Sequence, residues 1–273
     1  AAAKALNIHR ATVIRHIDEL EHDLGGKLFQ RHSRGYQMTE AGEDLLKVAG
    51  ATEEQFQALA GRTRGRSSTV HGELIVTSVE IMSYYLLPVI RTFCEAYPDT
   101  RVQFHPSNKV MNLEYGEAHV AIRAGRKPNH PDNVVLPFFK MMSGLYAHKD
   151  YVSKFGALRD DDDFTNHFFV GDRNPNSALP FRKWFKEKVP DQNVIFSATK
   201  TSAQRRAVRE GIGIGFLPQD QALKDPNMIE MLPPQPNWVT RFWIATHVDL
   251  HRTAKIQAFL RVLRSSLFDQ TPA

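Results

Sequence analysis

The chain has 273 residues, 42% of them hydrophobic, and a formal net charge of +5. That length allows two or three ordinary domains with real apolar cores, and the small basic excess suits an anionic partner only where charge is placed locally. The single cysteine, Cys94, excludes an internal disulfide and points to a reducing, cytoplasmic location; no apolar run approaches the ~20 residues that span a bilayer, so no membrane partner is expected.

Ala2, Ala3 and Leu6 give a first short helix a small apolar face. Asn7 can take the left-handed conformation that a sharp inter-helix turn needs, and Ile8 fits the corner. The next helix spaces Val13, Ile17, Leu20 and Leu24 at offsets of four, three and four, its predicted buried face. Arg10, Ala11, Ile14 and Arg15 fall on the other side, near the end that a helix-turn-helix lays into the major groove. Arg10 and Arg15 can donate paired hydrogen bonds to guanine or bind phosphate. Ala11 and Ile14 offer apolar contact to a thymine methyl, while Thr12 and His16 can hydrogen-bond the backbone that fixes register. After Gly25 and Gly26, residues 27–38 read as a hairpin wing with Arg31 and Arg34 flanking Ser33 near its tip. Wing arginines enter a minor groove or bind phosphate; the plainer alternative is that they solvate an exposed face. Asp18, Glu19, Glu21 and Asp23 offset much of the basic charge, so any DNA affinity rests on placement.

The run AAxALNIxxxxVxxxIxELExxLGxxLFxR…xxxTEAG between Ala2 and Gly42 resembles the winged helix-turn-helix of bacterial LysR-type transcriptional regulators. Two positions depart from that pattern: His9 stands where a serine usually caps the recognition helix, and Ile14 where a small polar residue is common. The chain opens inside a helix with no methionine, so the resemblance implies that the family's first helix and the start of its second are absent from it. It also implies a dimer formed through a linker helix, a homotetramer built from it, and a C-terminal effector domain.

Thr39 is a candidate N-cap, with Glu40 and Glu43 in the first turn favouring the helix dipole. The helix after it carries Leu45, Ala49, Thr52, Phe56 and Leu59 in a short heptad-like seam. Its expected partner is the same helix of a second subunit, which would set two recognition helices on a two-fold site; the alternative is packing on its own wing. The Gly-, Ser- and Arg-rich segment GRTRGRSSTVHG then reads as a hinge.

Beyond it the pattern alternates. Strands are predicted at 74–77, 101–105, 119–123, 134–138, 144–147, 167–170, 194–196, 213–217 and 241–246, with helices ending at Pro98 and filling 178–188, 202–210 and 253–267. Such alternation argues for α/β domains with largely parallel sheets. The expected fold is a mainly α N-terminal winged helix-turn-helix plus linker helix, followed by a C-terminal α/β, two-subdomain, periplasmic-binding-protein-like effector domain. The division expected is 1–40 for the reading head, 41–64 for the linker helix, 65–72 for the hinge, 73–143 with 238–267 for subdomain I, and 144–237 for subdomain II.

Ligands of open α/β sheets sit beyond the carboxyl ends of strands, beside helix N-termini. Ser78 ends one strand, while Thr199 and Thr201 follow another and precede a helix; these two loops are expected to face each other across a cleft. Arg123, Gly125 and Phe216 close strands that could line it. Hydroxyls and amides there suit a small anion, although they can equally cap helices, and Arg123 can belong to a structural ion pair.

Other signals are discounted. The glycines at 211, 213 and 215 precede a strand, so a helix C-cap and a close-packed strand are expected in place of a phosphate loop. The histidines show no paired metal-ligand pattern, including His247 and His251. Residues 160–163 read as a solvated acidic run. Cys94, in an amphipathic stretch, is expected in the core and not as a redox sensor. Ser78 lacks a histidine base, and no catalytic constellation stands out. The function expected is therefore a non-enzymatic, cofactor-free regulator of transcription that binds double-stranded DNA and a small-molecule effector, with RNA polymerase as a further partner. The alternative is a solute-binding sensor without direct DNA readout.

Overall fold

The computed structural model describes residues 2–32, 35–63, 70–107, 109–158, 164–172 and 179–267. Ser33, Arg34, most of the hinge, the acidic run at 160–163 and residue 178 lie outside them.

The N-terminal unit begins with helices α1 (Ala2–Ala5) and α2 (Arg10–Leu24). Asn7 turns the chain between them with φ 53°. The His9 ring accepts the Ala11 N–H at 3.4 Å and so takes over the N-cap, and Gly25, at φ 69°, ends α2 in the left-handed conformation. Strands β1 (Phe29–His32) and β2 (Gly35–Met38) pair antiparallel as the wing, with Phe29 opposite Met38. Helix α3 (Glu40–Thr63) follows. Thr39 caps it by accepting the Gly42 N–H at 3.1 Å while donating to the Lys27 carbonyl at 2.6 Å.

The expected buried face of α2 needs correction. Val13 and Ile17 are half-buried, but Leu20 and Leu24 are 42% and 54% exposed. Glu21 is the buried residue, because the base of the wing covers that side of the helix. Its Oε1 accepts the backbone N–H groups of Leu28 (2.9 Å) and Phe29 (3.1 Å), and its Oε2 takes Lys27 Nζ at 2.6 Å. On α3, Leu45 is half-buried, Ala49, Thr52 and Phe56 are exposed, and the Leu59 side chain lies outside the described set.

The C-terminal unit has two lobes. In the first, β3 (Gly72–Ser78) lies parallel to both β4 (Thr100–Pro106) and β5 (Val120–Ala124). Next to β5 comes β11 (Val239–His247), and then β6 (Asn133–His148), both antiparallel to their neighbours. Helices α4 (Ser83–Ala96) and α10 (Ala254–Leu267) cover one face, burying Leu86, Val89 and Phe93 against Val76, Ile122 and Phe259. Short helix α9 (Val248–His251) follows β11.

In the second lobe the last residues of β6 pair with β9 (Gly215–Pro218) and β10 (Met228–Leu232), while β7 (Phe169–Asp172) and β8 (Val194–Ala198) form a parallel pair. Around them stand α5 (Lys149–Phe155), α6 (Arg182–Lys188), α7 (Thr201–Arg209) and α8 (Gln219–Ala222). The sheets are thus mixed, not largely parallel. The cause is topological: β6 leaves the first lobe and β11 returns to it, so the two must run in opposite directions.

Cys94 is exposed, against expectation. The buried stripe of α4 is Tyr85, Leu86, Val89 and Phe93, which turns Cys94 outward. Gly213 and Gly215 are close-packing positions: a Cβ would come within 2.8 Å of the Phe168 carbonyl oxygen and 2.6 Å of Val208 Cγ2.

Candidate nucleic-acid interface and inter-lobe cleft

Helix α2 presents its first turns to solvent. Arg10, Ala11, Arg15 and His16 are exposed, with Thr12 and Ile14 half-buried. Ala11, Ile14, Arg15, Asp18, Glu19 and His22 line an open hollow of about 490 Å³ along one face. Charge is graded along this face: Arg10 and Arg15 occupy the first half, Asp18 and Glu19 the second. Phosphate is attracted to the first half and repelled by the second, so only the N-terminal turns suit a groove. Glu19 also steers its neighbours, lying 3.7 Å from Arg15 Nε and 3.3 Å from His16 Nδ1. Arg31 on β1 is ion-paired with Asp18 and lies over the Tyr36 ring at 5.6 Å. That pair ties the wing to α2.

The Glu21 knot holds the two parts in register. Its carboxyl lies below its ordinary value, first through Lys27 and then through the Phe29 and Leu28 amides, with desolvation opposing. Behind the head, Lys47 on α3 reaches Asp44 and, across to the first lobe, Glu117, each at 3.4 Å.

A second hollow of about 490 Å³ opens between the lobes. Glu80, Ile81 and Tyr84 face it from the first lobe, where a single 3₁₀ turn links β3 to α4; Ser202, Arg205 and Arg209 face it from α7. The lobes are also joined beside it, where the Tyr85 hydroxyl donates to Asp220 at 2.8 Å and accepts the Gln221 amide at 3.3 Å. Burial foremost, then Asp220, pushes the Tyr85 hydroxyl far above its ordinary pKa. It therefore stays a neutral donor.

The residues expected at this cleft are only partly brought together. Thr201 opens α7, next to Ser202, and Thr199 is exposed just before it. Ser78 is fully buried at the end of β3, its hydroxyl donating to the Val79 carbonyl at 3.1 Å. Arg123 and Gly125 do not line this hollow, although β5 ends beside β3, with Ile122 opposite Ser78. The Arg123 guanidinium donates to the Met111 carbonyl at 2.8 Å, holding the loop that carries Glu117; alternation on β5 puts it on the face of Ala121, opposite the core face of Ile122. Gly125, at φ 95°, closes β5, and its carbonyl receives the Trp243 indole at 2.9 Å. Phe216 stacks on Phe181 with ring centroids 3.8 Å apart and packs on Trp238 in the second lobe. Arg205 was missed from sequence, although RRAVR in α7 places two arginines four residues apart on one face. Glu114, His130 and Asp132 bring ligand-type atoms within 4.8 Å of one another. All three are exposed, and the contact of His130 Nε2 with Glu114 at 2.9 Å accounts for the cluster as a surface side-chain pair.

Residues 67–267 match the family model described as the LysR substrate binding domain. Residues 1–43 match that of the bacterial regulatory helix-turn-helix protein, lysR family. The chain belongs to the LysR family. Among curated relatives, the probable HTH-type transcriptional regulator LtrA of Klebsiella pneumoniae is 22% identical, over 98% of this chain and 89% of its own length. Among solved structures, a full-length OxyR variant from Pseudomonas aeruginosa superposes with a TM-score of 0.68 at 19% identity, covering 97% of this chain and 89% of that one. The full-length LysR family regulator CbnR complexed with its target DNA gives 0.55 at 20% identity, covering 97% and 93%. This LysR-type chain is therefore a DNA-binding transcriptional regulator and not an enzyme, and the helix-turn-helix match excludes the sensor without DNA readout. No described helix is long and apolar enough to cross a membrane.

Proposed function

We propose that this LysR-type regulator reads double-stranded DNA with the first turns of α2 and with its wing, and answers to a small molecule held between the lobes of its C-terminal unit. Arg10, Ala11, Thr12, Ile14, Arg15 and His16 make the groove contacts, with Arg31 and Arg34 on the wing. The observation that carries this is the charge gradient along the open face of α2, which carries arginine only in its N-terminal half and carboxylates in the other. Helix α3, with Phe56 65% and Leu46 60% exposed, pairs with its copy in a homodimer that places two heads on a two-fold site. Two dimers form the tetramer, the protein works in the cytoplasm, and RNA polymerase is its further partner.

The working division is the head at 1–40, linker helix at 41–64, hinge at 65–72, and lobes at 73–143 with 238–267 and at 144–237. The effector fills the hollow faced by Glu80, Tyr84 and Ser202, with Thr199 and Thr201 at its edge and Ser78 shaping the turn behind it. Closure on the ligand favours one lobe arrangement over another and so shifts the spacing of the heads. Footprinting and salt-dependent binding test the DNA half. Arg10→Ala and Arg15→Ala each lower affinity and reduce the salt slope by about 1; unchanged slopes in both variants would sink the assignment.

A further inference from the structure

Arg205 is the one guanidinium of the cleft that the protein leaves without a carboxylate among the described residues. Its neighbour Arg206 is ion-paired with Glu210, and Arg209 lies 3.5 Å from Asp225. Arg205 makes no such pair, and its Nη1 is buried with no hydrogen-bond partner. Arg205 as a whole is half-buried; a partly desolvated cation with no carboxylate is costly, and one amino group of its rigid fork stays unused. Burial and the like charge of Arg209 work against its protonated form, while Glu80 and Tyr85 work for it. Glu80 faces Arg205 from the other lobe without closing onto it.

The rest of the cavity fits a partner of opposite charge with an organic body. Its volume of about 490 Å³ is that of a small-metabolite site. Ile81, Tyr84 and Pro106 supply an apolar wall on the first lobe, and Ser202 adds a hydroxyl beside the arginine. A neutral acceptor in the hollow would leave the charge uncompensated; an oxyanion pairs with the guanidinium that lines it, through charge-assisted hydrogen bonds.

We infer that the effector is a small organic anion whose carboxylate or phosphate group seats on Arg205, with its carbon skeleton against Ile81 and Tyr84. This rests on the cleft being the effector site. The anion would also join the lobes, since its charged end is held by α7 and its body by the turn before α4.

The test uses the full chain at constant ionic strength in chloride, with benzoate and methyl phosphate as anionic probes and benzamide as the neutral one. Thermal midpoints and calorimetric titration are read on wild type, Arg205→Gln, Arg205→Lys and Ser202→Trp, the last filling the cavity without touching the charge. The expected result is saturable binding of at least one anion, no binding of benzamide, and affinity weakened about tenfold or more by Arg205→Gln, the loss expected for one charge-assisted pair. Arg205→Lys should retain part of the affinity, and whichever anion binds separates carboxylate from phosphate. Anion binding that Arg205→Gln leaves unchanged, or the absence of binding by both anions, overturns the inference. If Ser202→Trp alone abolishes binding, of benzamide or of an anion, the cleft stands as the site and only the anion assignment falls. Binding indifferent to both Arg205→Gln and Ser202→Trp removes both.

Discussion

Substituting Gly42 by alanine sets two opposed effects against each other within the reading head. Gly42 is the third residue of α3, where alanine ordinarily stabilises a helix by ~1 kcal/mol. Here an added Cβ would overlap the Leu28 carbonyl oxygen and stand 3.1 Å from its carbon. Leu28 has little room to retreat: its carbonyl accepts the Thr39 N–H at 2.9 Å, and its own N–H is fixed on Glu21 at 2.9 Å. Overpacking costs ~1–3 kcal/mol, and a pinned backbone neighbour belongs at the upper end. Setting ~3 kcal/mol against ~1 kcal/mol leaves a net loss of about 2 kcal/mol, a fall on the order of 10 °C for a unit of this size. Calorimetry of the full chain should show the head's transition moving down while that of the C-terminal unit stays in place. DNA affinity should fall with it, because the displaced segment carries the base of the wing. A midpoint that rises, as helix propensity alone requires, would refute the packing argument.

Three further outcomes are expected. Glu21 titrates lower in the folded head than its ordinary value of 4.5, so its contribution is complete above that pH and is lost as pH falls below it towards the folded value; the wild-type head should therefore lose midpoint on acidification below about 4.5 more steeply than Glu21→Gln, and parallel profiles would remove the knot from the account. Tyr85→Phe strands Asp220 and Gln221 between the lobes and should cost ~1–2 kcal/mol in denaturant unfolding, with no change in DNA binding by a chain free of small molecules. Trp238, fully buried and within 5.0 Å of Trp184 and 4.9 Å of Phe216, should cost ~3–5 kcal/mol as Trp238→Ala. Trp238→Phe should cost under ~1.5 kcal/mol, because the indole N–H has no partner to lose among the described residues; equal losses in the two variants would show that the N–H matters.

What could be read from sequence was local. Asn7 at the turn, Thr39 as a cap and Gly25 after α2 each declare a backbone conformation through their own chemistry, and the strands of the first lobe declare themselves by apolar runs. What escaped was set by distant partners. Glu21 looks like one more surface acid until the amides of Leu28 and Phe29 fold over it. Strand β6 reads as two strands, at 134–138 and 144–147, because Lys140 and Ser143 interrupt its apolar pattern, yet Gly144 lets the strand run on beneath the Tyr146 ring, 2.8 Å from where a Cβ would stand. Strand β10, with Met228 and Met231 its buried residues, carries too weak an alternation to be seen without β6 beside it. At the cleft, hydroxyls next to helix starts pointed to Ser78 and Thr199, whereas the unmatched charge of Arg205 emerges only once α7 faces the 3₁₀ turn across the gap.

The continuity of β6 has a mechanical meaning. The strand changes partners between Met142, which is paired with Val239, and Ser143, which is paired with Pro218. Strand β11 begins at that same Val239, one residue after Trp238 is anchored in the second lobe. Both crossings therefore fall at one level, side by side, and form a leaf spring of two bonded ribbons in place of a slack tether. Such a spring bends easily across its thin dimension and resists shear, since sliding one ribbon past the other breaks ladder hydrogen bonds worth ~0.5–1.5 kcal/mol each. The lobes are left with one soft degree of freedom, the one along which the proposed closure on a ligand would run.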